Sequence, residues 1–252
     1  MTRVALITGG QQGIGLGIAQ ALAGAGFTPV IAAERPADDP AVVAALASLG
    51  AGARYFRHDL AQVEAVPALL DRIEGDLGPV TTLVQNAGVP ARIRGDMLDL
   101  TPENFDFATD INLRGAFFLA QQVARRMMAA PASAYRAIIF ITSVSAQMVS
   151  VERAEYCISK AAASMMAQLF AVRLAGEGIG VFELRPGIIQ TAMTAGVQDK
   201  YTALIEGGLV PASRWGQPAD IAQVVVPLAE GRMSFANGAV IPVDGGLSIP
   251  RL

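Results

Sequence analysis

Apolar positions along this chain fall into two alternating patterns. Short, mostly continuous apolar runs at residues 4–8, 30–33, 54–58, 82–85, 137–142, 180–184 and 239–243 predict strands. Between them, stretches rich in Ala, Leu and Gln at 14–25, 41–49, 63–77, 105–128, 155–175 and 219–229 predict helices. Strand and helix alternate along the whole length, which predicts an α/β fold: one domain with a doubly wound, seven-stranded parallel sheet of the Rossmann type. Continuous rather than alternating strands are expected where helices cover both faces of a sheet. Pro131-Ala132-Ser133 and the segment 75–79 read as helix-to-strand loops. Residues 191–215 break the alternation, with a helical piece at 199–206 and Gly196, Gly207 and Gly208 as hinges. A long excursion at the carboxyl end of a strand is where a substrate lid is expected.

Composition narrows the classes further. Of 252 residues, 52% are hydrophobic and 16% charged, so the chain can bury a large core and is not disordered. A net charge of −3 gives no electrostatic reason to expect nucleic acid or an anionic membrane as partner. Mean hydropathy is +0.42, yet no apolar run approaches the roughly 20 residues of a membrane span. The first strand begins almost at once and no signal peptide is visible, so a soluble cytoplasmic protein is expected. Cys157 is the only cysteine and His58 the only histidine. A structural zinc and Ser-His-Asp or Cys-His catalysis are poorly supported, and no metal is expected.

The first strand runs into Thr8-Gly9-Gly10-Gln11-Gln12-Gly13-Ile14-Gly15. Glycines between a strand and a helix let backbone approach a pyrophosphate, and the helix amino end adds unpaired N–H groups and partial positive charge. The spacing is G-x-x-x-G-x-G, not the standard G-x-G-x-x-G. Further on, Tyr156 and Lys160 stand at i and i+4 on one helix face. An ammonium near a phenol favours the phenolate, and such a phenol can protonate a developing alkoxide or take a proton from an alcohol. Alone, the pair would read as a solvated surface pair. It is accompanied by Ser143 and by Asn86-Ala87-Gly88, each at the end of a predicted strand, and by Asn112, an amide within an apolar helical stretch that needs hydrogen-bond partners.

With these residues in this order, the chain resembles the short-chain dehydrogenase/reductase family. The matches are the glycine turn, Asp59-Leu60, Asn86-Ala87-Gly88, Asn112, Ser143, Tyr156 with Lys160, Arg185-Pro186-Gly187 with Thr191, and Asp244-Gly245-Gly246. Ser143 stands thirteen positions before Tyr156, the usual family distance. The resemblance implies hydride transfer between a nicotinamide and a secondary alcohol or ketone, with substrates ranging from 3-oxoacyl thioesters to sugars and polyols. It implies Tyr156 as general acid/base, Lys160 supporting the phenolate and bonding the nicotinamide ribose, Ser143 holding the substrate oxygen, and Asn112 supporting a water that links Lys160 to solvent. Gly9, Gly13, Ile14 and Gly15 would cradle the pyrophosphate. Asp59 and Leu60 would border the adenine, Asn86 and Gly88 the adenosine ribose side, and Pro186, Gly187, Ile189 and Thr191 the nicotinamide. The family also implies a homotetramer, built on the helices at 105–128 and 155–175 and on the last strand. A non-catalytic nucleotide-binding regulator on the same fold is the alternative, but such a protein would be expected to have lost part of the Asn/Ser/Tyr/Lys set.

His58 and the methionine pairs read as packing, and Cys157 points away from the Tyr156 face. Arg92 and Arg94 read as a solvated loop. Gln147, Met148 and Val149 stand where the family has a pocket wall. Cofactor choice depends on the end of the second strand, where a carboxylate favours NAD and an arginine favours NADP. Counting from Gly26 places Ala33 there, with Arg35 as phosphate partner. A bulge at Pro29, which has no N–H for a ladder, would bring Glu34 in instead. The bulge and NAD are the expectation.

Overall fold

The computed structural model describes residues 2–131 and 134–251; the Pro131–Ser133 loop expected from the sequence lies partly outside them. Seven parallel strands form one sheet: β1 (Val4–Thr8), β2 (Thr28–Ala33), β3 (Arg54–Arg57), β4 (Val80–Gln85), β5 (Arg136–Ile141), β6 (Ile179–Pro186) and β7 (Val240–Val243). Their order is β3-β2-β1-β4-β5-β6-β7. The helices are α1 (Gly13–Gly24), α2 (Pro40–Leu49), α3 (Val66–Leu77), α4 (Pro102–Thr109), α5 (Ala116–Ala129), α6 (Ala154–Leu174), α7 (Gln198–Glu206) and α8 (Pro218–Ala229).

The strands are apolar throughout because both faces are covered. In β1, Val4 and Leu6 pack with α3, α5 and α6, while Ala5 and Ile7 pack with α1 and α8. The chain reverses its winding direction between β1 and β4, and the carboxyl ends of these neighbours open the crevice where such sheets bind ligands.

Two local expectations are corrected. The single helix expected at 105–128 is α4 and α5 joined by a π turn, Asp110–Gly115. The bulge expected at Pro29 is absent: β2 pairs with β1 in unbroken register, Pro29 opposite Ala5. The reason is directional. Thr28 N–H donates toward β1, to Arg3 O at 2.8 Å, so the nitrogen of Pro29 faces the other side. There the pairing with β3 begins only at Val30, and no ladder bond is lost. The register slip lies instead on β4, between the pairs Val4–Val80 and Ala5–Thr82.

The 191–215 excursion is anchored at its base. Ile189 bridges to Gly216, and Ile205 and Val210 are buried with Leu247 in a small cluster that Trp215 joins.

Candidate active site

The glycine turn is built as a cradle. Gly9 has φ +66°, and a methyl group placed on Gly15 would lie 2.6 Å from Asn86 Nδ2. No side chain caps the amino end of α1 at Gln12, so its first N–H groups stay available to an anion. The turn is tied to the end of β4: Thr8 Oγ1 accepts from the N–H groups of Asn86 (3.0 Å) and Ala87 (2.9 Å), and Asn86 Nδ2 donates to Thr8 O at 2.9 Å. Asn86 thus holds the cradle in shape. A nucleotide pyrophosphate fits the chemistry of this turn, which has uncapped backbone donors and adds no side chain at Gly9, Gly13 and Gly15. Thr191, at the start of the excursion, lies against Gly13, and Ile14 completes the first turn of α1.

Farther along the edge, Tyr156 and Lys160 rise from the first half of α6. Lys160 is 6% exposed, donates to Ile141 O at 3.2 Å, and has its Nζ 5.7 Å from the centroid of the Tyr156 ring. Asn112 sits in the π turn, buried, with both amide donors and one of the two acceptor sites of its oxygen used. Its Oδ1 accepts from Val89 N at 2.7 Å, while Nδ2 donates to Val89 O at 3.0 Å and to Ser159 Oγ at 3.1 Å. Gly88 leaves room between Asn112 Oδ1 and Lys160 Nζ. Ser143 stands two residues past the end of β5, and its Oγ accepts from Ser145 N at 3.0 Å. Asn112 in the π turn, Ser143 past the end of β5, and Tyr156 and Lys160 on α6 therefore lie along one edge of the sheet. Pro186, Gly187 and Ile189 follow on from β6, with Gly187 against Asp244.

At the adenosine side, Asp59 caps its own turn through Ala61 N (3.0 Å), and Leu60 is buried. Glu34 is the first residue past β2 and its side chain is 65% exposed, with Oε1 3.9 Å from Arg35 Nε. Arg35 also pairs with Asp39 at 3.2 Å. His58 is buried, and burial pushes its imidazole below the usual histidine range against the opposing influence of Asp59. Arg92 stacks on Phe107 at 3.5 Å; Arg94 is exposed.

Several site residues escaped the sequence reading. Ser159 links Asn112 to the Tyr156 carbonyl. More consequential is an ion pair on β6 whose carboxylate is buried and whose arginine side chain is 16% exposed. Glu183, 1% exposed, accepts from Arg185 Nε (2.7 Å), Thr142 Oγ1 (2.6 Å) and Ser164 Oγ (2.7 Å). Arg185 also reaches Ser164 Oγ (2.7 Å) and Gln147 Oε1 (3.0 Å). Opposite charges two residues apart on an otherwise apolar strand were the available signal, because they face the same side.

Comparison with known proteins agrees with this geometry. The family model described as enoyl-(acyl carrier protein) reductase matches residues 9–248. The chain belongs to the short-chain dehydrogenase/reductase family and is an NAD(P)-dependent oxidoreductase. It is similar to a solved 3-oxoacyl-acyl-carrier-protein reductase from Brucella melitensis in complex with NAD, with 49% identity, a TM-score of 0.96, and coverage of 100% of this chain and 99% of that one. It is 35% identical to the 3-oxoacyl-acyl-carrier-protein reductase MabA of Mycobacterium tuberculosis strain H37Rv, covering 99% of this chain and 94% of the relative. A 2-dehydro-3-deoxy-D-gluconate 5-dehydrogenase of Pseudoalteromonas atlantica is 31% identical, covering 97% of this chain and 95% of the relative.

Proposed function

We propose that this protein reduces the keto group of a 3-oxoacyl thioester with NADH, with Tyr156 as the proton donor. The observation that carries this reading is the placement of Asn112, Ser143, Tyr156 and Lys160 along the sheet edge that also holds an uncapped glycine turn. A bound nicotinamide supplies the hydride. The chain's part is positioning and proton delivery. Gly9, Gly13, Ile14 and Gly15 hold the pyrophosphate, with Asp59 and Leu60 at the adenine, Gly88 beside the ribose, and Pro186 to Thr191 at the nicotinamide end. Ser143 Oγ holds the keto oxygen, and Tyr156 gives it a proton. Lys160, fixed by Ile141 O, faces the phenol on one side and Gly88 and Asn112 on the other, and so connects the acid to a route of proton supply.

An acyl substrate suits the mouth of the site. Ile93, Met148, Val149 and Met193, in the segments that follow Gly88, Ser143 and Thr191, are all exposed. The names of the 3-oxoacyl-acyl-carrier-protein reductase relatives point the same way. A sugar-acid dehydrogenase is the second reading, favoured by the gluconate-dehydrogenase relative.

The preference for NAD no longer rests on a bulge. It rests on charge. Arg35 is held between Glu34 and Asp39, so the surface after β2 offers a 2′-phosphate carboxylates and an arginine already paired. Measured as kcat/KM on one 3-oxoacyl thioester, NADH should exceed NADPH, and Glu34→Ala should narrow the ratio by about tenfold, or 1.4 kcal/mol. A wild-type preference for NADPH would overturn the cofactor assignment. Turnover of keto sugar acids but not thioesters would return the substrate to the second reading.

The assembly is proposed to be a homotetramer. Ile158, Met165, Leu169 and Val172 form an exposed apolar stripe along α6, with Phe118 of α5 also exposed. A helix apolar on both its inner and outer faces needs cover on both. Light scattering should give four times the 26.2 kDa chain mass; a monomer at micromolar concentration would contradict it.

A further inference from the structure

The ion pair on β6 reaches the substrate pocket through one side chain. Gln147 lies in the turn that leads from Ser143 to Tyr156, and its carboxamide crosses from the end of β5 to the end of β6, where its oxygen meets Arg185 Nη1 at 3.0 Å. A guanidinium only donates, so the partner atom must be the amide oxygen, and the amide is fixed in one of its two orientations. Arg185 is itself fixed. Its Nε and one Nη bond Glu183 and Ser164, and Glu183 is buried and further bonded to Thr142, the residue before Ser143. Ser164 stands one helical turn beyond Lys160 on the same face of α6. One network therefore sets the positions of Thr142-Ser143, of the helix that bears Tyr156 and Lys160, and of Gln147. The Nε2 group of Gln147 has no bond to any described residue, and the side chain is exposed. Its two N–H donors, polarised by the cation behind the oxygen, are presented at the edge that carries Ser143.

We propose that Gln147 is a specificity-determining residue, donating from Nε2 to a second acceptor oxygen of the substrate close to the keto group held by Ser143. Arg185 and Glu183 are its positioning residues. In the 3-oxoacyl thioester reading, on which this inference rests, that acceptor is the thioester carbonyl. A site built to donate to an oxygen discriminates against an analogue that lacks it, because the donor is then left unpaired in the closed complex.

The test compares two ketones of equal chain length, a 3-oxoacyl thioester of N-acetylcysteamine and a plain methyl ketone, in the wild type and in Gln147→Glu and Gln147→Leu. Gln147→Glu retains a partner for Arg185 but removes the donors, so it separates donation from positioning. Both variants should lower kcat/KM for the thioester by about 10–100-fold, leave the plain ketone within about threefold, and leave the KM for NADH unchanged. An equal fall on both ketones, no fall on either, or a Gln147→Glu protein that keeps the wild-type ratio would overturn the inference. Turnover of neither ketone by the wild type would overturn the 3-oxoacyl thioester reading and this inference with it.

Discussion

A Tyr156→Phe protein is expected to lose about 10²–10⁴-fold in kcat while its dissociation constant for NADH stays within about twofold, the range that a single general acid commands. The argument is local. Phenylalanine fills the same place on α6, and the Tyr156 side chain makes no hydrogen bond that holds the fold together; the bonds around it run through Ser159, Asn112 and Lys160. What is lost is the proton at the keto oxygen. Single-turnover rates and fluorescence titration of NADH on the same preparation separate chemistry from binding. Wild-type kcat would remove Tyr156 from the acid's role, and a parallel collapse of NADH binding would mean that the ring positions the nucleotide rather than the proton.

Glu183→Leu should be among the most destabilising single changes in the chain, by up to about 3–5 kcal/mol, because it leaves the largely buried Arg185 guanidinium without its counter-charge. For a chain of this size that corresponds to a fall in Tm of roughly 6–20 °C. The buried Ser164 hydroxyl loses its acceptor in the same step, and Thr142 keeps only Leu184 O at 3.2 Å. Replacing both charges, Glu183→Leu with Arg185→Met, should recover most of the loss, since an apolar pair of similar volume removes the unpaired ion instead of stranding it. Thermal unfolding of the two variants beside the wild type measures both effects. A single variant within 1 kcal/mol of wild type would show that water reaches Arg185 freely.

These expectations draw on features that were unequally legible in the chain. The sheet was readable strand by strand because a two-faced interior leaves continuous apolar runs, and β1 shows the rule with Val4 to Ile7 divided between two cores. Tyr156 and Lys160 alone pass for a solvated pair on a helix; they were picked out only in company with Ser143, Asn86–Gly88 and Asn112, set in order along the chain. The Pro29 bulge was misjudged because a missing N–H matters only on the side where a partner strand waits, and the sequence does not say where β3 begins. The Glu183–Arg185 pair was passed over for a related reason. Its partners Thr142, Ser164 and Gln147 lie 41, 19 and 38 positions away from the residues they bond, and no local pattern reports such separations.

The π turn at Asp110–Gly115 sets a limit on how this chain can be shortened. A wide turn carries one residue more than regular helix would need, so removing a single residue there would heal the hydrogen-bond ladder between α4 and α5. The flanks would keep their facing, so Leu119, Ala120 and Val123 would stay in the interior they fill. The residues of the turn itself would be re-aimed, and Asn112 would swing off Val89 and Ser159. The extra residue lets one continuous rod satisfy two directions at once, the catalytic edge at one end and the core at the other. A length change that an exposed loop would absorb is thus closed to this segment, although the shorter helix would itself be the more regular one.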